Sequence, residues 1–246
     1  MIAVRSLVFN LAFYAWTAFM LVVCMPILAF DRLVTVRCQT FWAKGVLWLM
    51  RCVVGITLDV RGRENLGEPP IIVASKHQSA WDTLIWHVIV DDPAVVMKRE
   101  LLWIPFYGWY SLKAGMIPID RKGGAAALRS MLWSARRAKE RGQPIIIFPQ
   151  GTRTAPGTHV PYQSGVVAIY RGLELPVVPA ALNSGLFWPR RSLRRNPGTI
   201  VVEFLPRVMP GLERGPFLAQ LEERIESATG RLEHEEESET YRTPVR

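Results

Sequence analysis

The chain is expected to be α/β: a mixed, largely buried sheet covered by helices, preceded by an N-terminal two-helix membrane motif. Three observations carry this. From about residue 57 onward, short β-type runs alternate with segments of helical periodicity, which is the pattern of a helix-covered sheet. Several of the runs are apolar throughout, as strands buried on both faces are. Ahead of them lie two long apolar stretches, and 246 residues suit one such domain with an attachment better than two domains.

In chain order, Ser6 to Phe30 carries no charge. A run of about 25 residues reaches roughly 37 Å as a helix, enough either to span a hydrocarbon core or to lie shallow in it. Pro26 is expected to kink it by removing one backbone hydrogen bond. A cleaved signal peptide competes with this reading, but the run is long for one and no small-x-small cleavage site follows. After Asp31-Arg32, a second apolar segment from Val34 to Ile56 carries Arg37, Lys44 and Arg51 at seven-residue intervals. Seven residues drift only about 20° per repeat, so these cations form one stripe. The stripe suits lipid phosphates at a membrane interface, or else it is the solvated edge of a helix packed on the domain.

The β-type runs are 58–61, 71–74, 94–97, 116–119, 145–148, 177–182 and 199–204, with helices expected over 83–90, 125–141, 165–171 and 217–228. From His234 the chain is acidic and without apolar periodicity, as a disordered tail is. The organisation expected is therefore a membrane-associated segment over 1–57, an α/β domain over 58–232 and a tail over 233–246.

A net charge of +9 points to an anionic partner, nucleic acid or phospholipid. The mixed aromatic and basic stretch from Phe187 to Arg195 would suit either, but no nucleic-acid motif accompanies it and the apolar start favours lipid. Cys24, Cys38 and Cys52 all precede the domain, odd in number and without Cys-x-x-Cys, so reduced cytoplasmic thiols are the simplest account. His77, His87, His159 and His234 lack metal-ligand spacing, and no metal is expected.

Two stretches carry the chemistry. After the first buried run comes Lys76-His77-Gln78-Ser79-Ala80-Trp81-Asp82. Residues five apart on a regular helix point about 140° away from each other. If His77 instead lies in the turn leaving the strand and Asp82 in the first turn of the next helix, the carboxylate reaches back to the imidazole and fixes its tautomer. Ser79-x-x-Asp82 is also a capping-box pattern, in which Asp82 serves only the helix end. The second stretch, Phe148-Pro149-Gln150-Gly151-Thr152-Arg153, again follows an apolar strand. Gly151 allows backbone amides close to an anion, Thr152 offers a hydroxyl and Arg153 a planar fork for phosphate, although such a turn is often only a surface turn. If the strands are parallel, both loops open on one rim. Lys98 and Arg121 end two further runs and can line the same anion cleft, or Arg121 can pair locally with Asp120.

Four stretches in fixed order resemble the glycerolipid acyltransferase family, in particular the 1-acylglycerol-3-phosphate acyltransferases. His77 to Asp82 matches its His-x-x-x-x-Asp block. Lys98 to Leu101, Pro105 to Gly108 and Gly115 to Arg121 resemble its second block, Phe148 to Arg153 its Phe-Pro-Glu-Gly-Thr-Arg, and Pro176 to Pro179 its apolar fourth. Gln150 stands where the family has glutamate, so no catalytic carboxylate is assigned there. The resemblance implies His77 as base and Asp82 as its orienting acid, with Gln150, Gly151, Thr152, Arg153, Lys98 and Arg121 binding the substrate. It implies lysophosphatidic acid as acceptor, acyl-CoA or acyl carrier protein as co-substrate, no cofactor, and a membrane-phospholipid setting on the cytoplasmic face of the inner membrane. Another lyso-lipid acceptor, such as a lyso-ornithine lipid, or a non-catalytic lipid-binding protein remains an alternative. An esterase would need a serine elbow, Gly-x-Ser-x-Gly, which the chain lacks.

Overall fold

The computed structural model describes residues 1–242, with side chains described as far as residue 236. The N-terminal part comprises α1 (Ile2–Val23), a 3-10 turn at Met25–Ala29 and α2 (Arg32–Leu49), which ends in a π-helical turn at Met50–Val54. The domain follows as β1 (Ile56–Arg61), β2 (Ile72–Ser75), α3 (Trp81–Leu84), α4 (Trp86–Ile89), β3 (Ala94–Lys98), α5 (Tyr107–Ala114) and β4 (Ile117–Ile119). It is completed by α6 (Gly124–Glu140), β5 (Ile145–Ile147), α7 (Ser164–Leu173), β6 (Val177–Leu182), α8 (Ser184–Phe187), β7 (Gly198–Phe204) and α9 (Arg214–Arg242).

The strands form one sheet in the order β1-β7-β6-β2-β5-β3-β4, parallel throughout except where β7 runs against β6. Because side chains alternate along a strand, Val73 of β2 and Ile146 of β5 enter one core, while Ile72, Ala74, Ile145 and Ile147 enter the other. The first core is covered by α1 to α4, and the second by α6, α7 and α9, which contribute Met131, Ile169 and Leu221 among others. Both faces being buried accounts for the unbroken apolar strands. β2, β3, β4 and β5 all run the same way, so their carboxyl ends share one rim.

The N-terminal helices differ from expectation in register. α1 starts at Ile2 and stops at Val23, because Pro26 opens a 3-10 turn instead of kinking a longer helix. Its 22 residues are long and apolar enough to cross a membrane, yet it is tied to the domain near both ends. Ser6 Oγ accepts Arg195 N–H (2.9 Å) and Asn10 Oδ1 accepts Arg195 Nη2–H (3.0 Å). At the other end, Tyr110 donates its hydroxyl hydrogen to Leu21 O (3.0 Å), and Lys113 Nζ donates to Leu28 O (2.6 Å). α1 thus lies along the domain and presents Leu7, Leu11, Tyr14, Phe19 and Val22 outward. On α2 the exposed stripe is Arg37, Phe41, Lys44, Trp48 and Arg51, alternating cation and aromatic at helical spacing. The opposite side of α2 packs on α4 and α5.

The expected disordered tail from 233 does not hold where the chain is described. α9 continues to Arg242, and Leu232, Glu233 and Glu235 all have partners in the domain. Acidity misled here because those carboxylates answer cations and amides elsewhere: Glu235 takes Arg61 Nη1–H at 2.8 Å. Residues 243–246 of that tail lie outside the described residues.

Candidate active site

His77 leaves β2 in an irregular turn, and Asp82 occupies the first turn of α3, which lets the carboxylate reach back. Asp82 Oδ2 lies 2.9 Å from His77 Nδ1 and also accepts the backbone N–H groups of Gln78 (2.6 Å) and Ser79 (2.8 Å). Oδ1 accepts the hydroxyl of Ser184 at 2.5 Å. Capping and orienting therefore coexist on one carboxylate that is wholly buried. Ser79 Oγ, in turn, accepts Trp81 N–H at 2.9 Å, which spends the nearest hydroxyl on the helix start. The imidazole stacks on Phe148 with ring centroids 4.2 Å apart. With Nδ1 held by Asp82, Nε2 is the nitrogen left for the cavity that the ring lines.

The loop after β5 comes to the same rim, but not all of it faces the same way. Gln150 is buried; its Oε1 accepts His77 N–H (3.0 Å) and its Nε2 donates to Thr154 Oγ1 (3.2 Å). It does not line the cavity and instead holds the His77 turn from behind, so its expected substrate contact is corrected. The Gly151 amide is likewise taken, donating to Phe148 O at 2.9 Å. Gly151 is needed for its backbone, at φ +66, and not as a free donor to an anion. Thr152 and Arg153 do line the cavity.

Behind Gln150 stands α9, which sequence reasoning did not connect to the site. Lys76, only 2% exposed, pairs with Glu226 Oε2, and Glu226 Oε1 accepts the Tyr162 hydroxyl at 2.9 Å. Burial, followed by the Glu226 charge, pushes the Tyr162 pKa up and keeps it a donor. Glu233 accepts Gln78 Nε2–H (2.6 Å) and Gly157 N–H (3.0 Å). Two glutamates of one helix thus brace both loops of the rim.

In front of His77 opens a cavity of about 450 Å³. Its mouth carries Lys98, Arg121, Arg153 and Arg190, while its inner walls are mostly apolar, with Met20, Leu21, Trp42, Val95 and Met116. Lys98 sits 3.0 Å from Glu100. Asp120 turns away to Arg99 (3.9 Å) and Lys122 N–H, so the local Asp120–Arg121 pair is not formed. Desolvation lowers the Arg121 pKa, Glu100 opposes this and Arg153 adds to it, which is the electrostatics of a cation cluster short of anions. Arg190 was not foreseen as a site residue. It reaches the mouth because its Nη1 donates to Arg153 O at 2.7 Å, a contact across 37 residues. Its neighbour Arg195 plays a different part. Buried, it stacks over Trp188 at 4.3 Å and anchors α1, and burial draws its pKa down to about 10. The basic cluster is thus divided, and Arg195 is not a headgroup contact.

A rigid His–Asp pair between a cationic mouth and an apolar chamber is the equipment of an enzyme that handles an anionic lipid. Comparison with known proteins agrees. Residues 57–183 match the family described as Acyltransferase. The chain is 36% identical over 186 residues to a 1-acyl-sn-glycerol-3-phosphate acyltransferase of Pseudomonas aeruginosa, covering 76% of this chain and 72% of that one. It is 31% identical over 208 residues to the human 1-acyl-sn-glycerol-3-phosphate acyltransferase alpha, covering 81% and 71%. The crystal structure of the 1-acyl-sn-glycerophosphate (LPA) acyltransferase PlsC from Thermotoga maritima has the same fold, with a TM-score of 0.77 over 94% of this chain and 98% of that one at 22% identity. The protein belongs to the acyltransferase family.

Proposed function

We propose that the protein transfers an acyl chain from acyl-CoA or acyl carrier protein to the sn-2 hydroxyl of 1-acylglycerol-3-phosphate, giving phosphatidic acid. The observation that carries this reading is the position of His77, braced by Asp82 at the boundary between four mouth cations and an apolar chamber. The names of the relatives support the acceptor. The four cations also favour a phosphate monoester over a headgroup of lower charge.

In this mechanism Nε2 of His77 takes the proton of the sn-2 hydroxyl as its oxygen bonds to the thioester carbonyl carbon. The carbon–sulfur bond then breaks, and the imidazolium returns the proton to the departing thiolate, whose conjugate acid has a pKa of about 8.5 and needs little help. Asp82 steadies the imidazolium between these events. General-base assistance of this kind contributes about 10²–10⁴-fold. Arg153, Arg190, Lys98, Arg121 and Thr152 hold the phosphate, and the apolar chamber takes an acyl chain. His77 meets a hydroxyl of the substrate directly, so no acyl-serine intermediate is required.

The exposed apolar side of α1, with the alternating cations and aromatics of α2, fits one leaflet of an anionic membrane. Three unpaired thiols favour its cytoplasmic face. The test is acyl transfer from labelled acyl-CoA to lysophosphatidate in detergent, with other lyso-lipids as a panel. His77→Ala should abolish transfer, and full activity in the folded variant would refute the assignment. A faster rate with a lyso-ornithine lipid would replace the acceptor.

A further inference from the structure

The parallel pairing of β6 with β2 brings the chain that leaves one strand beside the chain that leaves the other. Ala180 stands opposite Ser75, and Ala180 O accepts Lys76 N–H at 2.9 Å, so the ladder holds as far as the residue before His77. β6 ends at Leu182, and Ser184 opens α8. A serine at a helix start commonly turns its hydroxyl onto the amides of its own first turn. Ser184 does not. α8 has no side-chain cap, and the buried Ser184 hydroxyl reaches instead to Asp82 Oδ1 at 2.5 Å, across 102 residues. Its place is fixed from both sides: Asn183 Oδ1 accepts Val201 N–H of β7 (2.8 Å), and Gln78 Oε1 accepts Gly185 N–H (3.0 Å).

The two oxygens of Asp82 are unequally served. Oδ2 takes the His77 ring and the Gln78 and Ser79 amides, whereas Ser184 is the one donor printed on Oδ1 by the described residues' geometry. The torsion about the Cβ–Cγ bond of an aspartate is soft, so the plane of the carboxylate is set by its donors and not by the side chain itself. A buried carboxylate oxygen without a donor is costly. Deprived of the hydroxyl, the group can recover part of that cost only by turning, which carries Oδ2 off the line of the imidazole Nδ1–H.

Resting on the acyl-transfer reading above, we propose that Ser184 is a positioning residue of the reaction. Its hydroxyl sets the plane of the Asp82 carboxylate, and through it the direction in which Nε2 of His77 meets the substrate hydroxyl. The test assays Ser184→Ala and Ser184→Cys for transfer from labelled acyl-CoA to lysophosphatidate in detergent, each in the wild-type chain and with Asp82→Asn, with kcat referred to folded protein by circular dichroism. Ser184→Ala should lower kcat by about 3- to 30-fold and leave KM for both substrates within about twofold. Cysteine nearly keeps the shape of serine but donates feebly, so Ser184→Cys should also lower kcat, and it decides the matter alone if the alanine variant does not fold. With Asp82→Asn already present, Ser184→Ala should cost less than about twofold more, because the carboxylate it acts through is gone. Wild-type kcat in Ser184→Ala or in Ser184→Cys overturns the proposal, as does a rise in KM in place of the fall in kcat. So does a fall repeated in full beside Asp82→Asn, which would make the serine's part merely structural. A wild-type protein that transfers no acyl chain overturns the acyl-transfer reading itself, and the role of Ser184 with it.

Discussion

Replacing Asp82 by Asn separates what its charge does from what its shape does. Oδ2 faces three N–H groups, from His77, Gln78 and Ser79, and Oδ1 faces the Ser184 hydroxyl. Backbone amides cannot accept, so the Asn oxygen must take the Oδ2 place and its NH2 group must face Ser184, whose hydroxyl rotates to accept. Every hydrogen bond survives, and the His77 ring stays in its Nδ1–H tautomer. What disappears is the negative charge beside the imidazolium. Exchanging a charge-assisted bond for a neutral one loses about 1–2 kcal/mol, and an ion pair at roughly 4 Å in an effective dielectric of 20 is worth about 4 kcal/mol. These limits bracket a fall in kcat of about 10- to 1,000-fold. Acyl transfer at saturating substrates, with circular dichroism to verify folding, makes the measurement. An unchanged kcat would refute any role for the carboxylate in catalysis. A loss beyond about 10⁴-fold in a folded variant would refute the claim that the two amides fix the Asn orientation. Asp82→Ala is the poorer probe, because it leaves four buried donors without an acceptor.

Three further outcomes follow from the same geometry. Arg190→Ala should raise KM for lysophosphatidate about tenfold with little change in kcat, the loss of one charge-assisted phosphate contact; an unchanged KM removes Arg190 from the mouth. Glu226→Ala strands the buried Lys76 charge, a loss of about 3–5 kcal/mol and about 10 °C in Tm, and Lys76→Met in the same chain should recover most of it in a thermal melt. His87 is held neutral with its pKa lowered from 6.5 to about 4. Below pH 6.5 the unfolded chain binds a proton that the folded chain refuses, so stability declines from pH 6.5 down to about pH 4, by an amount on the order of 3 kcal/mol. Denaturant titrations across that range should show a shallower acid decline in His87→Leu.

All seven strands were legible as short β-type runs between turn residues, and the runs at β2, β5 and β6 stood out as wholly apolar ones because both their faces are buried. The His77–Asp82 approach was legible too, since only a strand-to-helix turn brings residues five apart together. α5 was not read as a helix: its aromatics and Gly108 lack a clear apolar period. Gly108 is there for a close approach, as a Cβ at that position would stand 2.0 Å from the Leu102 carbonyl oxygen. At Gln150 and Gly151 the residue types suited an anion site, but the turn and the His77 amide consume their polar groups before any ligand arrives. Arg190, Ser184 and Glu226 could not be found by spacing, because each acquires its role from a partner 37 to 150 residues away.

The bracing of the rim by α9 sets an order of events during synthesis. Glu226 and Glu233 are 150 and 155 residues downstream of Lys76 and Gln78, the groups they hold. At about 5–20 residues per second, β2 waits on the order of 10–30 s for its last supports to leave the ribosome. The apolar helices at the amino end are exposed throughout that interval and can reach a lipid surface first. On the proposed mechanism, catalytic competence therefore waits for translation past Glu233, and a message cut short before Glu226 yields a protein that keeps every cation of the mouth and lacks both braces behind its proposed base.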